Sequence, residues 1–255
     1  VTANSLNTVY NGKDQTASGF TASGLVNGED ASVLAGVTSS SVTAKDAGNY
    51  VHTASGTDKN YDLTFVDGAL DIAKAKATVT ANSLNTVYNG KDQTASGFTA
   101  SGLVNGEDAS VLAGVTSLSV TAKDAGNYVH TASGTDKNYD LTFVDGALDI
   151  AKAKATVTAN SLNTVYNGKD QTASGFTASG LVNGEDASVL AGVTSSSVTA
   201  KDAGNYVHTA SGTDKNYDLT FVDGALDIAK AKATVTANSL NTVYNGKDQT
   251  ASGFT

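Results

Sequence analysis

Ala69-Leu-Asp-Ile-Ala-Lys-Ala-Lys-Ala-Thr-Val-Thr-Ala-Asn-Ser-Leu-Asn-Thr-Val-Tyr-Asn89 contains neither Gly nor Pro. A flexible tether would be rich in Gly and Ser. Here Lys74 and Lys76 alternate with Ala73, Ala75 and Ala77, the period-two pattern of an extended strand. The segment is also where one copy of a repeated sequence ends and the next begins. It predicts that the last strand of one copy runs almost directly into the first strand of the next, making a stiff joint. Working outward, the chain reads as small β domains joined end to end in a rod. Each copy would add roughly 35 to 45 Å if its strands rise ~3.3 Å per residue.

The repeat is nearly perfect. Val1-Thr-Ala-Asn-Ser-Leu-Asn-Thr-Val-Tyr10 returns at Val79, Val157 and Val235, so the period is 79 − 1 = 78 residues. Ser40 corresponds to Leu118 and then to Ser196, an exchange expected at a surface position. The expected units are 1–75, 76–153 and 154–231, with 232–255 opening a fourth. The start without Met and the stop early in a copy read as a window from a longer array. The physics of one unit must explain the whole.

Composition narrows the classes. The 255 residues carry 16 Lys+Arg against 25 Asp+Glu, a net charge of −9. Such a surface repels phosphate backbones, so nucleic acid is not an expected partner. No apolar run approaches the ~20 residues of a membrane-spanning helix, so no membrane insertion is expected in this segment. Cys is absent, which removes disulfides, thiolate metal sites and thiol catalysis.

Within one unit, Val1–Tyr10 reads as a strand closed by an Asn11-Gly12 turn. Residues 19–26 form a second extended piece before Asn27-Gly28. Residues 30–35 have the makings of a short helix with Asp30 as N-cap. Residues 37–44, 50–57 and 63–73 read as strands, the last broken at Asp67-Gly68 by a bulge or tight turn. The expected core is Leu6, Val9, Tyr10, Phe20, Leu25, Val33, Leu34, Val42, Tyr50, Tyr61, Leu63, Phe65, Leu70 and Ile72. Gly recurs at 12, 24, 36 and 48, but the apolar residues do not follow that interval, which argues against a β-solenoid.

The ordered set Val9-Tyr-Asn-Gly12, Ser23-Gly-Leu-Val-Asn-Gly-Glu-Asp30, Ala47-Gly-Asn-Tyr50 and Lys59-Asn-Tyr-Asp-Leu-Thr-Phe-Val-Asp-Gly-Ala-Leu-Asp-Ile72 resembles the YDG and MBG repeat domains of large bacterial haemagglutinin-like surface adhesins. Tyr10-Asn11-Gly12 stands where that family has Tyr-Asp-Gly. The resemblance covers every unit and implies an exported, mainly β module. It also implies a β-grasp-like fold; an immunoglobulin-like sandwich is the alternative. It brings no catalytic residues.

Few residues invite a chemical role. Tyr10, with Asn11 and Gly12, reads as a buried ring beside a turn; the sharper reading is a ring that stacks on sugars. Asp46-Ala-Gly48-Asn-Tyr50 resembles the tyrosine corner of sandwich folds, where the hydroxyl ties back to nearby backbone. Asn60, Tyr61, Phe65 and Gly68 complete the structural motif. Asp58, Asn60 and Asp62 have the spacing that opens a calcium loop. The loop would then need Gly at 63 and Glu at 69, where the chain has Leu63 and Ala69. His52 is expected exposed or half-buried on its strand, with no triad around it. Lys13, Lys45, Lys59, Lys74 and Lys76 lie in polar stretches, which disfavours isopeptide crosslinks.

No cofactor or catalysis is expected. The leading expectation is a structural stalk of a bacterial adhesin or biofilm matrix protein, extracellular, whose partners are its own neighbouring repeats. The alternatives are a multivalent array of weak glycan-binding modules and side-by-side association with other copies in a fibre.

Overall fold

A computed structural model describes residues 1–255. The protein is mainly β, with three tandem repeats. The middle repeat shows the full pattern. Ala75–Ala81 is the centre of a three-stranded sheet, antiparallel to Phe98–Ser101 on one side and parallel to Tyr139–Val144 on the other. A four-stranded sheet has the order Leu84–Val87, Gly146–Ala151, Gly126–Gly134, Val115–Leu118. Gln93–Ala95 pairs with Val120–Ala122 in a third ladder.

The first and last chain segments therefore run parallel through both sheets. Each changes sheet half-way, at Asn82-Ser83 and at Asp145. The second crossing needs glycine: a Cβ on Gly146 would lie 2.3 Å from the Ala81 carbonyl oxygen, inside any tolerable contact. Gly68 meets Ala3 in the same way, at 2.4 Å. The expected break at Asp67-Gly68 is thus a crossing point between sheets.

A β-grasp fold lays a helix across one sheet. Here the expected helix is a single 3-10 turn, Ala31–Val33, repeated at Ala109–Val111 and Ala187–Val189. Asp30 caps it, accepting from Ser32 N at 2.9 Å. The packed sheets correspond to the sandwich alternative.

Two features of the core depart from the sequence reading. Leu6, Val9 and Val33 are exposed, at 37%, 52% and 40%. Small residues take the interior instead: Ala3, Ala17, Ala54, Ala75, Ala77 and Ala81 are all buried. Alanine lets two sheets approach closely, which a large β-branched side chain would prevent.

The junction is one residue long. Gly68–Ala73 ends, Lys74 intervenes, and Ala75–Ala81 begins. Alternation does not run straight through it, however. Ile72 and Ala75 are buried, while Ala73 and Lys74 both face solvent. That one-residue slip carries the chain from a sheet of one repeat into the other sheet of the next. Lys74 Nζ donates to the Asp136 carbonyl at 2.6 Å, holding the slip in place.

Residues 1–87 and 91–151 form one compact unit; residues 88–90 and 152–255 form a second. The first unit holds two repeats, and its core is continuous across them. Tyr10, Ala17, Leu70 and Ile72 belong to the same buried cluster as Val79, Leu112, Val115, Ala132 and Tyr139. In the second unit, Val157, Leu226 and Ile228 are buried to 0–2% exposure. Residues 231–255 contain no strand, only an Ala237–Phe254 bridge.

The inter-repeat joint as candidate functional site

Tyr10 ends the first strand of its repeat and projects past it. Tyr10 N donates to Ala73 O at 2.8 Å, and Asn11-Gly12 then turns the chain, with Lys13 N donating to Asn11 Oδ1 at 2.9 Å. The ring does not pack inside its own repeat alone. Its hydroxyl donates to Glu107 Oε1 of the next repeat at 2.7 Å. Tyr139 donates to the other oxygen, Oε2, at 2.6 Å and accepts from Val104 N at 2.9 Å. One carboxylate thus holds two phenols, whose rings meet edge to face at 5.4 Å.

Burial, then the bond to Glu107, pushes the Tyr139 phenol up to about 12. The same causes raise Tyr10 further. Tyr10 is 4% exposed, so its ring has no face to offer a sugar.

The turn is fitted as closely as the ring. Asn105 Nδ2 donates to Gly12 O at 3.1 Å. Gly12 has φ +73°, and a Cβ there would come within 2.6 Å of Asn105 Cβ. Asn105 itself has φ 54°, a left-handed conformation that Asn tolerates better than most residues. Glycine is required at position 12 for two independent reasons, backbone and contact.

A polar clasp closes the other side. Lys137 Nζ lies 2.6 Å from Asp46 Oδ2, Asn138 Nδ2 donates to Asp46 Oδ1 at 3.1 Å, and Ala47 N donates to Asn138 Oδ1 at 2.8 Å. The bond from Lys137, then that from Asn138, holds the Asp46 carboxyl below its ordinary range. Tyr50, beside it, donates from its hydroxyl to Asp46 O at 3.0 Å, closing a tyrosine corner over Gly48.

The second unit repeats this geometry. Tyr88 donates to Glu185 Oε1 at 2.6 Å, Tyr217 to Glu185 Oε2 at 2.6 Å, and Asn183 Nδ2 to Gly90 O at 3.2 Å. Residues 88–90 pack with this second unit. The Tyr-Asn-Gly finger therefore belongs structurally to the repeat that follows it.

The remaining sequence candidates sit elsewhere. Asp58 Oδ1 accepts from Asn60 N at 2.7 Å and Tyr61 N at 3.2 Å, making a turn that orients Tyr61. The Asp58 carboxylate thus shapes the turn that carries Asn60 and Asp62, and no cluster of three or more His, Cys, Asp or Glu side chains is arranged to hold a metal ion. Phe65 has its counterpart in Phe143, packed on the core.

His52 corrects the expectation of exposure. It is fully buried, at 0%, as are His130 and His208. Its Nδ1–H donates to Asn4 O at 2.6 Å, and Nε2 has no partner. The strand alternation places it inward, because Ala54, two residues on, is also buried.

Glu107, Asn105 and Lys137 are the joint residues that the sequence reading missed. One signal was available. Glu occurs only at 29, 107 and 185, once per repeat, whereas the other acidic residues are all Asp. A single longer carboxylate at a fixed place marks a reach that Asp cannot make.

Residues 1–71, 77–149 and 155–227 each match the MBG domain of YGX type. The chain belongs to the MBG domain family. No curated protein sequence matches it. Among solved structures, the Sidekick-1 immunoglobulin domains 1–5 are similar at 12% identity and TM-score 0.26, over 89% of this chain and 57% of that one. The three N-terminal domains of the bacteriophage RB49 outer capsid protein Hoc are similar at 13% identity and TM-score 0.26, over 88% of this chain and 96% of that one. A Bacteroides ovatus glucan-utilization protein, SGBP-B, solved with a mixed-linkage heptasaccharide, is similar at 9% identity and TM-score 0.19, over 92% of this chain and 70% of that one.

Proposed function

We propose that this array of MBG repeats is a stalk segment of an exported bacterial adhesin or biofilm matrix protein. Its work is mechanical: copy number sets reach, and locked joints keep successive repeats from swinging independently. The observation that carries this reading is the joint in which Tyr10 is buried against Glu107 and Tyr139 of the next repeat. A linker that merely tethered two domains would leave that ring partly in water, as Tyr166 is at 39% exposure. The following repeat takes this ring from the 39% exposure seen at Tyr166 to 4% at Tyr10, removing roughly a third of its ~150–250 Å² from water, on the order of 1–2 kcal/mol at ~25 cal/mol per Å². A joint of that strength, with its hydrogen bonds, resists bending on the scale of thermal energy.

No catalytic role is proposed. The conspicuous side-chain groups of each repeat are used in joints, turns and the core. Deleting residues 79–156 removes one whole period and should shorten the maximum dimension in small-angle scattering by about one repeat, roughly 35 to 45 Å. An unchanged maximum dimension would refute the stalk.

A further inference from the structure

We infer that Asn105 and Asn183 are sites of spontaneous deamidation gated by the joint: shielded while the finger is docked, free to react when it lifts, and unable to rebuild the joint afterwards. The inference rests on the geometry of the joint and not on the stalk reading.

Asn-Gly occurs twice at the first joint, at Asn11-Gly12 on the finger and at Asn105-Gly106 in the socket. In such a pair the backbone amide readily attacks the preceding side chain, because glycine puts no Cβ in the way. The two pairs differ in room. Gly12 is buried, and a Cβ there would lie 2.6 Å from Asn105 Cβ. Asn11 is further held by Lys13 N, which donates to its Oδ1 at 2.9 Å. Asn105 and Gly106 are exposed, and a Cβ on Gly106 would meet nothing within 4 Å. The socket pair therefore has space for a cyclic imide and for the water that opens it; the finger pair does not.

The reaction is complete with water alone. The Gly106 amide nitrogen forms a bond to Asn105 Cγ and gives up its proton. The Cγ–Nδ2 bond breaks, and Nδ2 takes that proton and leaves as ammonia. Water then adds to either carbonyl of the imide and opens it, leaving aspartate or isoaspartate at position 105.

The docked finger opposes the first step. Asn105 Nδ2 donates to Gly12 O at 3.1 Å, and the turn around it is closed by Glu107 N donating to Val104 O at 3.0 Å. Ring closure must swing the carboxamide onto the Gly106 nitrogen, which gives up the bond to Gly12. Reaction thus runs through an open state and follows its population. The product does not close again. A carboxylate at position 105 has no proton to donate to Gly12 O, sets oxygen against oxygen, and adds a charge two residues from Glu107. The second joint is built alike. Asn183 Nδ2 donates to Gly90 O at 3.2 Å, Glu185 N donates to Val182 O at 3.0 Å, and a Cβ on Gly184 would meet nothing within 4 Å.

Incubating the intact chain at mildly alkaline pH and mapping its peptides by mass spectrometry tests this. Asn105 and Asn183 should convert at least about tenfold more slowly in the folded chain than in guanidinium chloride. Tyr10→Ala should speed conversion at Asn105 at least about tenfold, while Asn183, whose finger is intact, keeps its wild-type rate. Tyr10→Phe removes only the bond to Glu107; it should speed the same site about twofold to tenfold and leave the far-ultraviolet circular dichroism intact. Asn105→Asp should unfold at lower urea than Asn105→Gly, which loses the bond to Gly12 without gaining a charge. Equal rates in folded and unfolded chains overturn the inference. So does a wild-type rate at Asn105 in both Tyr10 variants, or an equal rise at Asn183, since the finger would then not be the gate. Asn105→Asp unfolding together with wild type would overturn the claim that the product weakens the joint.

Discussion

Tyr10, Tyr88 and Tyr166 occupy the same place in three near-identical repeats, yet the first two are 4% exposed and the third 39%. Their local sequences are the same, Val-Tyr-Asn-Gly-Lys. What differs is the segment beyond. Complete repeats supply Glu107 with Tyr139, and Glu185 with Tyr217; residues 231–255 supply no strand. Tyr61 shows the converse. It is half-buried, while Tyr139 and Tyr217 are 2% exposed. The chain thus contains its own controls, and they show that the Tyr-Asn-Gly motif is one half of a joint. Neither half is buried by its own repeat alone.

The largest effect expected from this contrast is on ring removal. Tyr10→Ala should destabilise the full chain by about 3–5 kcal/mol, the usual cost of deleting a buried aromatic, whereas Tyr166→Ala should cost under about 1 kcal/mol; urea unfolding of both variants checks it. Equal costs would mean that the joint contributes nothing.

The turn gives the next largest difference. Gly12→Ala meets both a positive φ and the Asn105 Cβ at 2.6 Å, while Gly168 has φ +77° and nothing within 4 Å of an added Cβ. Gly168→Ala should cost about 1 kcal/mol for the backbone alone, and Gly12→Ala about 2–3 kcal/mol more through overpacking. Thermal unfolding of the two variants measures the gap.

Alkaline titration sharpens the comparison. Tyr139 is raised from its ordinary 10.0 to about 12, so folding favours the protonated phenol. That stabilisation is complete below pH 10, and it is lost as pH rises through about 12. Unfolding free energy followed over this window should fall, and fall less steeply in Tyr10→Phe, which lacks one phenol of the pair. A flat profile in the parent protein would contradict the shared-carboxylate geometry.

Smaller effects lie at the surface. Lys137→Ala breaks an ion pair whose side chains are 65% and 40% exposed, so it should cost no more than about 1 kcal/mol. Leu118→Ser should be within about 0.5 kcal/mol of neutral, because Leu118 is 78% exposed. This last change restores what Ser40 and Ser196 already are.

Much of this was legible in the sequence for definite physical reasons. The Gly-free run through Lys74 announces a junction without slack, and period-two alternation over Ala73–Ala77 announces extended backbone there. Asn-Gly at 11–12 announces the turn, and Asp30 announces the cap. The slip at Lys74 was not legible, because alternation over short Ala/Lys runs fits either phase. Alanines in the core were missed because their size, not their hydrophobicity, places them there. His52 was missed because its only polar partner is the backbone carbonyl of Asn4, and a carbonyl leaves no mark in a sequence. Glu107 was missed because its partners, Tyr10 and Tyr139, lie in different repeats. A reading that treats each repeat as self-contained cannot see a residue whose purpose is to hold the neighbour.

The central claim is that Tyr10 and Glu107 are energetically coupled across the boundary between repeats. A double-mutant cycle of Tyr10→Phe and Glu107→Gln measures it directly by denaturant unfolding of the intact chain. The account predicts a coupling of about 1–3 kcal/mol, the range for a hydrogen bond to a charged partner. Additivity within about 0.5 kcal/mol would contradict it, because the finger would then rest in its socket without being held there.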